Sequence, residues 1–486
     1  MCGIFGTLSN NYRSIGQKFL NDLHHRGPDD NGIFFDHEKN LVLGHNRLSI
    51  IDPSKQAHQP MMDKTESFII VFNGEIYNFK ELKKELVSFG YNFKTNSDTE
   101  TVLYSYIHWG ENCVEKFRGM FAFCIYDKRK GSLFLARDRF GIKPLIYSFF
   151  NNQFIFSSEL KSFLNSNFIK KKLSQAAVSE LFKYGAIKQP KTMLDGVFQI
   201  LPGHYMTINS EKSFKIKKYY DYVKESFKLP KIENYNEAII KVRQELEIAT
   251  KYHLVADVDV GAFLSGGVDS TAVVALMKLY NDKKINTFSI GFKNKTYVQD
   301  ETEVALRTAR KLGCAHKNIK IDDEYVKNIF DNFIDSIDQP SIDGINTYIV
   351  SKETSKNMKV ALTGTGGDEV FAGYQHFKFI SQYANKKKNL ISFLGQKLNR
   401  LRPNRFTKKY EYVGIEEEKA VEMKRCINSD LNQILINPLN NSYSMAQKKL
   451  SPIQIISKYE IDNYLLNTLL RDNDVLSMAF LGGSTG

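Results

Sequence analysis

From residue 235 onward the sequence alternates between two kinds of segment. Apolar runs of strand length at 258–264, 287–292, 317–321 and 360–363 are separated by stretches of helical spacing at 270–279, 301–312 and 324–337. Further helical stretches precede and follow them at 236–251 and 368–383. Strands with a helix between each pair are not joined by tight hairpins. They pair parallel, with crossover helices over the sheet. This order predicts an α/β domain on a parallel sheet.

Upstream the pattern differs. Short apolar runs at 41–45, 68–72, 120–126, 132–136, 144–149 and 154–157 read as strands, and 79–89 and 98–109 show helical spacing. Many strands with few helices predict sheets covered by helices. Between the two regions, 220–234 carries charges and Pro230 at no clear period, which suits a linker. The predicted division is a first domain over 1–215, a linker over 216–234 and a second domain over 235–486. Two domains agree with a length of 486 residues, at roughly 100–200 residues per domain.

Composition excludes several classes. Hydrophobic residues make up 42% and charged residues 25%, as in ordinary globular proteins. The N-terminus, MCGIFGTLSN, has neither the basic flank nor the apolar stretch of a signal peptide, and no run approaches the length of a membrane span. Five cysteines, Cys2, Cys113, Cys124, Cys314 and Cys426, are odd in number and widely spaced, without zinc-site spacing. They point to a reducing, cytoplasmic setting, and all but Cys2 read as small buried apolar residues. A net charge of +13, with basic clusters at 170–172, 386–388 and 398–409, invites a nucleic-acid reading. No aromatic stacking motif or helix-turn-helix accompanies it, so these read as solvated surface whose field attracts anionic nucleotides.

Cys2 follows the initiator methionine directly. Removing Met1 leaves a thiol beside a free α-amine of pKa near 8, a base able to activate its own thiol. Four segments accompany it: His25-Arg26-Gly27-Pro28-Asp29, His45-Asn46-Arg47-Leu48-Ser49-Ile50, Asn73-Gly74-Glu75-Ile76-Tyr77-Asn78 and Ser97-Asp98-Thr99-Glu100. Each has a purely structural reading. The first is a proline turn, Asn73-Gly74 a hairpin turn and Asp98 a helix N-cap. Farther on, the run 258–264 ends in Ser265-Gly266-Gly267-Val268-Asp269-Ser270 before a helix. The glycines let the backbone turn and present N–H groups to an anion, the helix N-terminus adds its dipole, and Asp269 could hold Mg²⁺. No Walker lysine follows.

Taken together, the N-terminal segments closely resemble class II glutamine amidotransferases. The resemblance implies an N-terminal-nucleophile sandwich, two sheets between helix layers (αββα). It implies that Cys2 attacks the glutamine side-chain amide, that Asn73 and Gly74 form an oxyanion hole, that Arg47 pairs with the α-carboxylate, and that Glu75 and Asp98 hold the α-ammonium. SGGVDS resembles the pyrophosphate loop of PP-loop ATP pyrophosphatases, with an adenine nucleotide alpha hydrolase-like parallel sheet. The segment 362–374, LTGTGGDEVFAGY, resembles a second asparagine synthetase hallmark. By that likeness Asp269 and Asp368 face Mg²⁺, and Leu264, Ser265, Gly266, Gly267, Ser270, Ile290, Thr363 and Gly364 border ATP.

The combination is that of glutamine-hydrolysing asparagine synthetases, and the likeness covers essentially the whole chain. It implies ATP-dependent activation of the aspartate β-carboxylate as an acyl-adenylate, then attack by ammonia, giving asparagine, glutamate, AMP and pyrophosphate. The implied partners are small molecules (glutamine, aspartate or another carboxylate, and ATP), with no nucleic acid and no membrane, and a homodimer as candidate assembly. Two departures stand out. Thr365 occupies the position of a family glutamate thought to help deprotonate the attacking ammonia, and related bacterial members amidate other carboxylates, including sugar uronic acids. After the matching segment 471–479 the family continues, whereas this sequence ends at Gly486, so the second domain is expected to be C-terminally incomplete. The competing readings are an amidotransferase acting on a uronic acid, a truncated relative without synthesis, and an RNA-directed PP-loop enzyme, the last leaving the N-terminal half unexplained.

Overall fold

The continuous apolar runs upstream of residue 220 are strands buried on both faces. The computed structural model describes residues 2–293, 301–387, 390–401, 408–428 and 450–480. Residues 481–486 and the basic positions 388 and 402–407, singled out in the sequence, lie outside the described residues. In chain order the strands of the first region are β1 (Gly3–Leu8), β2 (Asp30–Asp36), β3 (Leu41–Arg47), β4 (Met61–Met62), β5 (Phe68–Ile76), β6 (Gly119–Asp127), β7 (Ser132–Arg137), β8 (Ile146–Phe150), β9 (Gln153–Ser157), β10 (Phe198–Gln199), β11 (His204–Ile208) and β12 (Phe214–Lys218). They form two antiparallel six-stranded sheets, ordered β10-β8-β9-β1-β3-β2 and β12-β11-β7-β6-β5-β4.

Strand alternation divides the side chains among three cores. Ile69 and Val71 of β5 meet Ile4 and Leu43 of the opposite sheet in the core between the sheets. Their neighbours Ile70 and Phe72 point the other way and pack beneath Phe79, Leu82, Val102 and Leu103 of the helices Phe79–Ser88 and Asp98–Trp109. On the far side, Phe5 and Val42 pack under Ile15 and Phe19 of the Tyr12–Asp22 helix and Leu160 and Phe163 of the Leu160–Asn165 helix. The layers are therefore helix, sheet, sheet, helix, the αββα order expected.

Asn73-Gly74 makes no hairpin turn. Both residues lie inside β5, whose pairing with β6 runs unbroken from Phe68 to Ile76. Within 220–234 a short helix, Tyr222–Ser226, is capped by the Asp221 side chain, and the Tyr222 hydroxyl donates to Asp462 at 3.0 Å.

The second region carries β13 (Val260–Phe263), β14 (Asn286–Phe292), β15 (Ala315–Ile321) and β16 (Val360–Leu362) in the order β15-β14-β13-β16, all parallel. The chain steps outward from β13 to β15, then returns to lay β16 on the other side of β13. That reversal opens a crevice at the carboxyl ends of β13 and β16, where ligands bind in sheets of this kind. Both faces are covered: Val274, Met277 and Ala305 pack on one, and Phe333, Tyr348 and Ile349 on the other.

One predicted helix is two. The stretch 368–383 breaks into Gly367–Phe371 and Gln375–Tyr383. Ala372 adopts a left-handed conformation, φ 59°, and the Gly373 N–H turns back to the Asp368 carbonyl at 2.9 Å. A Cβ at 373 would stand 1.9 Å from Asp368 Oδ1, so a side chain there would displace that carboxylate. Among the described residues no helix is long and apolar enough to cross a membrane.

Candidate active site

The first sheet delivers Cys2 and Arg47 side by side, because β1 pairs with β3 in a register that sets Gly3 opposite Asn46. The second sheet brings Asn73, Gly74 and Glu75 from β5, and the Asp98–Trp109 helix points its first residue at them. Cys2, Arg47, Gly74, Glu75 and Asp98 line one cleft with Leu48 and Gln59, and Asn73 lies buried behind Cys2. Cys2 is buried. Its backbone N–H donates to Asn73 Oδ1 at 3.0 Å, and its thiol lies 3.8 Å from the Leu48 carbonyl. Burial pushes the thiol pKa up, while the Leu48 hydrogen bond and nearby Arg47 act in the opposite direction.

Arg47 closes β3 and turns its guanidinium onto the loop that follows, donating to the carbonyls of Ser54 at 3.0 Å, Ile51 at 3.3 Å and Asp52. Gly74 has φ 154°, and a Cβ there would overlap the Met120 carbonyl, so the backbone beside Asn73 is open to glycine alone. The Asp98 carboxylate accepts the Ile76 N–H at 2.9 Å. Its pKa is pushed up to about 7, first by burial and then by Glu75. Burial likewise raises Glu75.

Two atoms of these residues are buried without a hydrogen-bond partner among the described residues: Asn73 Nδ2, a donor, on the side chain that holds the Cys2 N–H, and Glu75 Oε1, an acceptor, in the cleft lining. A buried amide N–H or carboxylate oxygen left unpaired costs on the order of 1–3 kcal/mol. A ligand with a carbonyl for the first and an ammonium for the second would remove that penalty.

The crevice between β13 and β16 holds the second group. Gly266, at φ 87°, turns the chain into the Val268–Tyr280 helix. The Ser265 and Ser270 hydroxyls bond each other at 3.0 Å, and the Gly267 N–H donates to Ser265 Oγ at 3.3 Å. Gly364, just after β16, presses against the start of that helix, where a Cβ would stand 2.9 Å from the Ser270 nitrogen. Asp269 and Asp368 each sit in the first turn of a helix. Burial and then the charge of Asp368 raise the Asp269 pKa. Neither carboxylate has an ion-pair partner among the described residues, an arrangement that fits a divalent cation between them.

Thr363 and Thr365 bond through their hydroxyls at 2.9 Å. Ile290 is part-buried on β14. Leu264 is fully buried in the core with Ala262 and Val274, so only its backbone reaches the crevice mouth. The structure thus brings Cys2, Arg47, Asn73, Gly74, Glu75 and Asp98 together in the first half and sets Gly364 and Asp368 against the 265–270 turn in the second, while the side chains of Leu264 and Ile290 pack on the core.

Charged residues to which the sequence assigned no role join these halves. The Arg26 guanidinium is completely buried and holds the Cys2 carbonyl, Glu159 and Asp474. Asp257 accepts the Asp52 N–H at 2.8 Å, its own N–H donates to Ile50 O at 3.0 Å, and Lys359 pairs with Asp29 at 2.8 Å. Their signal in sequence is faint: isolated charges at the edges of apolar runs, with partners hundreds of residues away.

A glutamine amidotransferase domain model matches residues 1–220 and an asparagine synthase model residues 241–481. A Methanocaldococcus jannaschii protein provisionally named glutamine-hydrolyzing asparagine synthetase 2 is 37% identical over 82% of this chain and 81% of its own length. Glutamine-hydrolyzing asparagine synthetase 1 of Bacillus subtilis is 37% identical over 78% of this chain and 60% of its own length. The amidase chry2 of Gibberella zeae is 30% identical over 74% of this chain and 55% of its own length. The chain therefore spans less than two thirds of the length of two of these relatives.

Proposed function

The chain belongs to the family of glutamine-hydrolysing asparagine synthetases, and on that premise we propose that it releases ammonia from glutamine at Cys2 and transfers it to a carboxylate activated by ATP. The observation that carries this reading is that Cys2 shares one cleft with Arg47, Glu75 and Asp98 while Asn73 holds its N–H, with Glu75 Oε1 and Asn73 Nδ2 left buried and without a hydrogen-bond partner among the described residues. Residues 1–215 would carry the glutamine chemistry and 235–486 the ATP chemistry, with 216–234 joining them.

In the first reaction the Cys2 thiol attacks the side-chain amide carbon. Once Met1 is removed, the Cys2 amine, held by Asn73 Oδ1, takes the thiol proton and passes it to the departing ammonia. Asn73 Nδ2 and the Gly74 N–H face the developing oxyanion. The Arg47 fork suits the α-carboxylate, and the Glu75–Asp98 pair suits the α-ammonium. Water then hydrolyses the thioester to glutamate.

In the second reaction the acceptor carboxylate attacks the α-phosphorus of ATP and pyrophosphate leaves. Ammonia then displaces AMP from the acyl-adenylate. The Ser265–Ser270 turn and its helix N-terminus would hold the pyrophosphate. Asp269 and Asp368 would hold Mg²⁺, which offsets the triphosphate charge. The acceptor is aspartate, through its β-carboxylate. Five unbridged cysteines favour the cytoplasm as the site of action.

The test is Cys2→Ala. Glutamate release should vanish while ammonia-dependent amide synthesis with AMP formation survives; persistent glutamate release refutes the reading. A second acceptor reading rests on Thr365, whose hydroxyl is held by Asn473 Nδ2 at 3.2 Å and which offers no carboxylate base. ATP–pyrophosphate exchange with aspartate against a panel of uronic acids decides between acceptors.

A further inference from the structure

The backbone of the nucleophile is anchored to the other half of the molecule. The Cys2 carbonyl accepts a hydrogen bond from Arg26 Nε at 3.0 Å. The same guanidinium, with no solvent exposure, uses Nη1 on Glu159 at 2.8 Å and Nη2 on Asp474 at 2.6 Å. Asp474 is fully engaged in turn, its second oxygen taking Lys143 Nζ at 2.9 Å. Arg26, Glu159 and Lys143 belong to the sandwich. Asp474 projects from the Leu470–Met478 helix, in which the residue before it, Asn473, bonds Thr365 beside the nucleotide crevice.

A guanidinium is planar and its donors diverge at fixed angles, so fixing two of its nitrogens fixes the direction of the third. Glu159 alone leaves Arg26 free to pivot about one contact. Asp474 supplies the second, and the Nε–H is then aimed at the Cys2 carbonyl. We infer that Asp474 is a positioning residue for glutamine hydrolysis, acting through Arg26 to set where Cys2 holds its thiol and amine over the glutamine amide. This rests on the reading of Cys2 as the glutaminase nucleophile. It makes the glutamine site incomplete without a side chain from the synthetase half.

The ion cluster could instead serve only to hold the halves together. The two roles separate in kinetics. Among the described residues no member of the cluster hydrogen-bonds Arg47, Glu75 or Asp98, and the charge of Lys143 reaches Glu75 only through space, so a positioning role changes kcat more than it changes substrate binding. The experiment uses the full chain and compares wild type, Asp474→Asn and Lys183→Met. The last breaks another ion pair between the halves, Lys183 with Glu422, that has no contact with Cys2.

The expected result for Asp474→Asn is a 10- to 100-fold fall in kcat for glutamate release, with KM for glutamine within twofold of wild type. The pH profile of Cys2 alkylation by iodoacetamide should shift as well. Lys183→Met should leave all three unchanged. If Asp474→Asn does not fold, Asp474→Glu, which keeps the charge but displaces it by one methylene, carries the same test with at least a fivefold fall in kcat. Wild-type kcat in a folded Asp474 variant overturns the inference alone. A wild-type chain that releases no glutamate overturns both the inference and the reading beneath it.

Discussion

The Asp98 carboxylate accepts the N–H of Ile76, the residue directly after Glu75, so that two buried acids are held on one wall of the cleft. Asp98 is pushed up to about 7 by burial and by Glu75. An ammonium between the two would relieve both. Glutamine binding should therefore weaken as Asp98 takes up a proton. KM for glutamine is expected to rise by up to about tenfold for each unit below pH 7, read separately from kcat, which falls on its own account as the Cys2 amine is protonated. A KM independent of pH between 5.5 and 8 would remove Asp98 from the ammonium site.

The same shift has a stability consequence of opposite sign. An acid whose pKa is higher folded than unfolded contributes stability below its unfolded value, near 4, and loses it as pH rises through about 7. Asp98→Asn should thus stabilise the ligand-free protein at pH 8, by about 2 kcal/mol, and hardly at pH 4.5. Thermal melts at the two pH values measure this. The variant should bind glutamine poorly, the trade expected where a site stores an unsatisfied charge.

Arg47→Lys should raise KM for glutamine by about 10²-fold, a loss of roughly 3 kcal/mol, because an ammonium cannot reproduce the guanidinium fork. It would also surrender carbonyl contacts to Ile51, Asp52 and Ser54 that shape the loop beside the cleft. Ammonia-dependent synthesis in the same preparation should be unaltered. A parallel loss of both activities would show that the substitution acts on the fold.

Gly74→Ala should cost about 3 kcal/mol or more, since the new methyl would overlap the Met120 carbonyl at a backbone angle that side chains rarely adopt. Urea denaturation followed by Trp109 fluorescence would report it, the chain having a single tryptophan on the adjacent helix. A midpoint equal to wild type would mean that β5 shifts to accommodate the methyl.

Asp269→Asn should relieve the repulsion from Asp368 and leave the ligand-free fold as stable as wild type or slightly more so. ATP–pyrophosphate exchange should fall by about 10²–10³-fold, with the residual rate needing more Mg²⁺. Full exchange at low Mg²⁺ would exclude Asp269 from the cation site.

Much of the fold was legible because its signal is local. Ile69 to Phe72 and Phe121 to Ile125 are apolar at every position, which suits strands covered on both faces, and the change of pattern after residue 220 separated the two architectures. Strands β1, β2, β4, β10, β11 and β12 are not legible in the sequence, β4 and β10 being two residues each. Glycines interrupt β1 and β2, and β12 is an exposed edge of sequence FKIKK whose pattern favours no interior. The helix break is not legible in the sequence, because it lies in the left-handed backbone of Ala372 and the return of the Gly373 N–H to the Asp368 carbonyl, which helical periodicity does not encode.

The glutamine-site residues stood out as polar groups at the ends of apolar runs. Leu264 was placed beside the nucleotide by its neighbourhood in the motif, yet strand alternation turns its side chain into the core. Arg26, Lys143, Glu159 and Asp474 are not connected by anything local in the sequence, because nothing there says that these four buried charges will neutralise one another.

The separation of Arg26 from Asp474, 448 positions along the chain, also sets an order of events during translation. A ribosome that has finished the sandwich has already made Cys2, Arg26, Glu159 and Lys143. The carboxylate that completes their charge balance is still to be made. During that interval Arg26 and Lys143 lack the carboxylate they share in the finished chain, and Arg26 has Glu159 as its one carboxylate partner while it holds the Cys2 carbonyl. Closing so long a loop costs little more entropy than closing one half as long, about 0.6 kcal/mol per doubling. The delay is thus one of synthesis rather than of search, and the nucleophile gains its last support only when the ATP-using half is present to receive the ammonia.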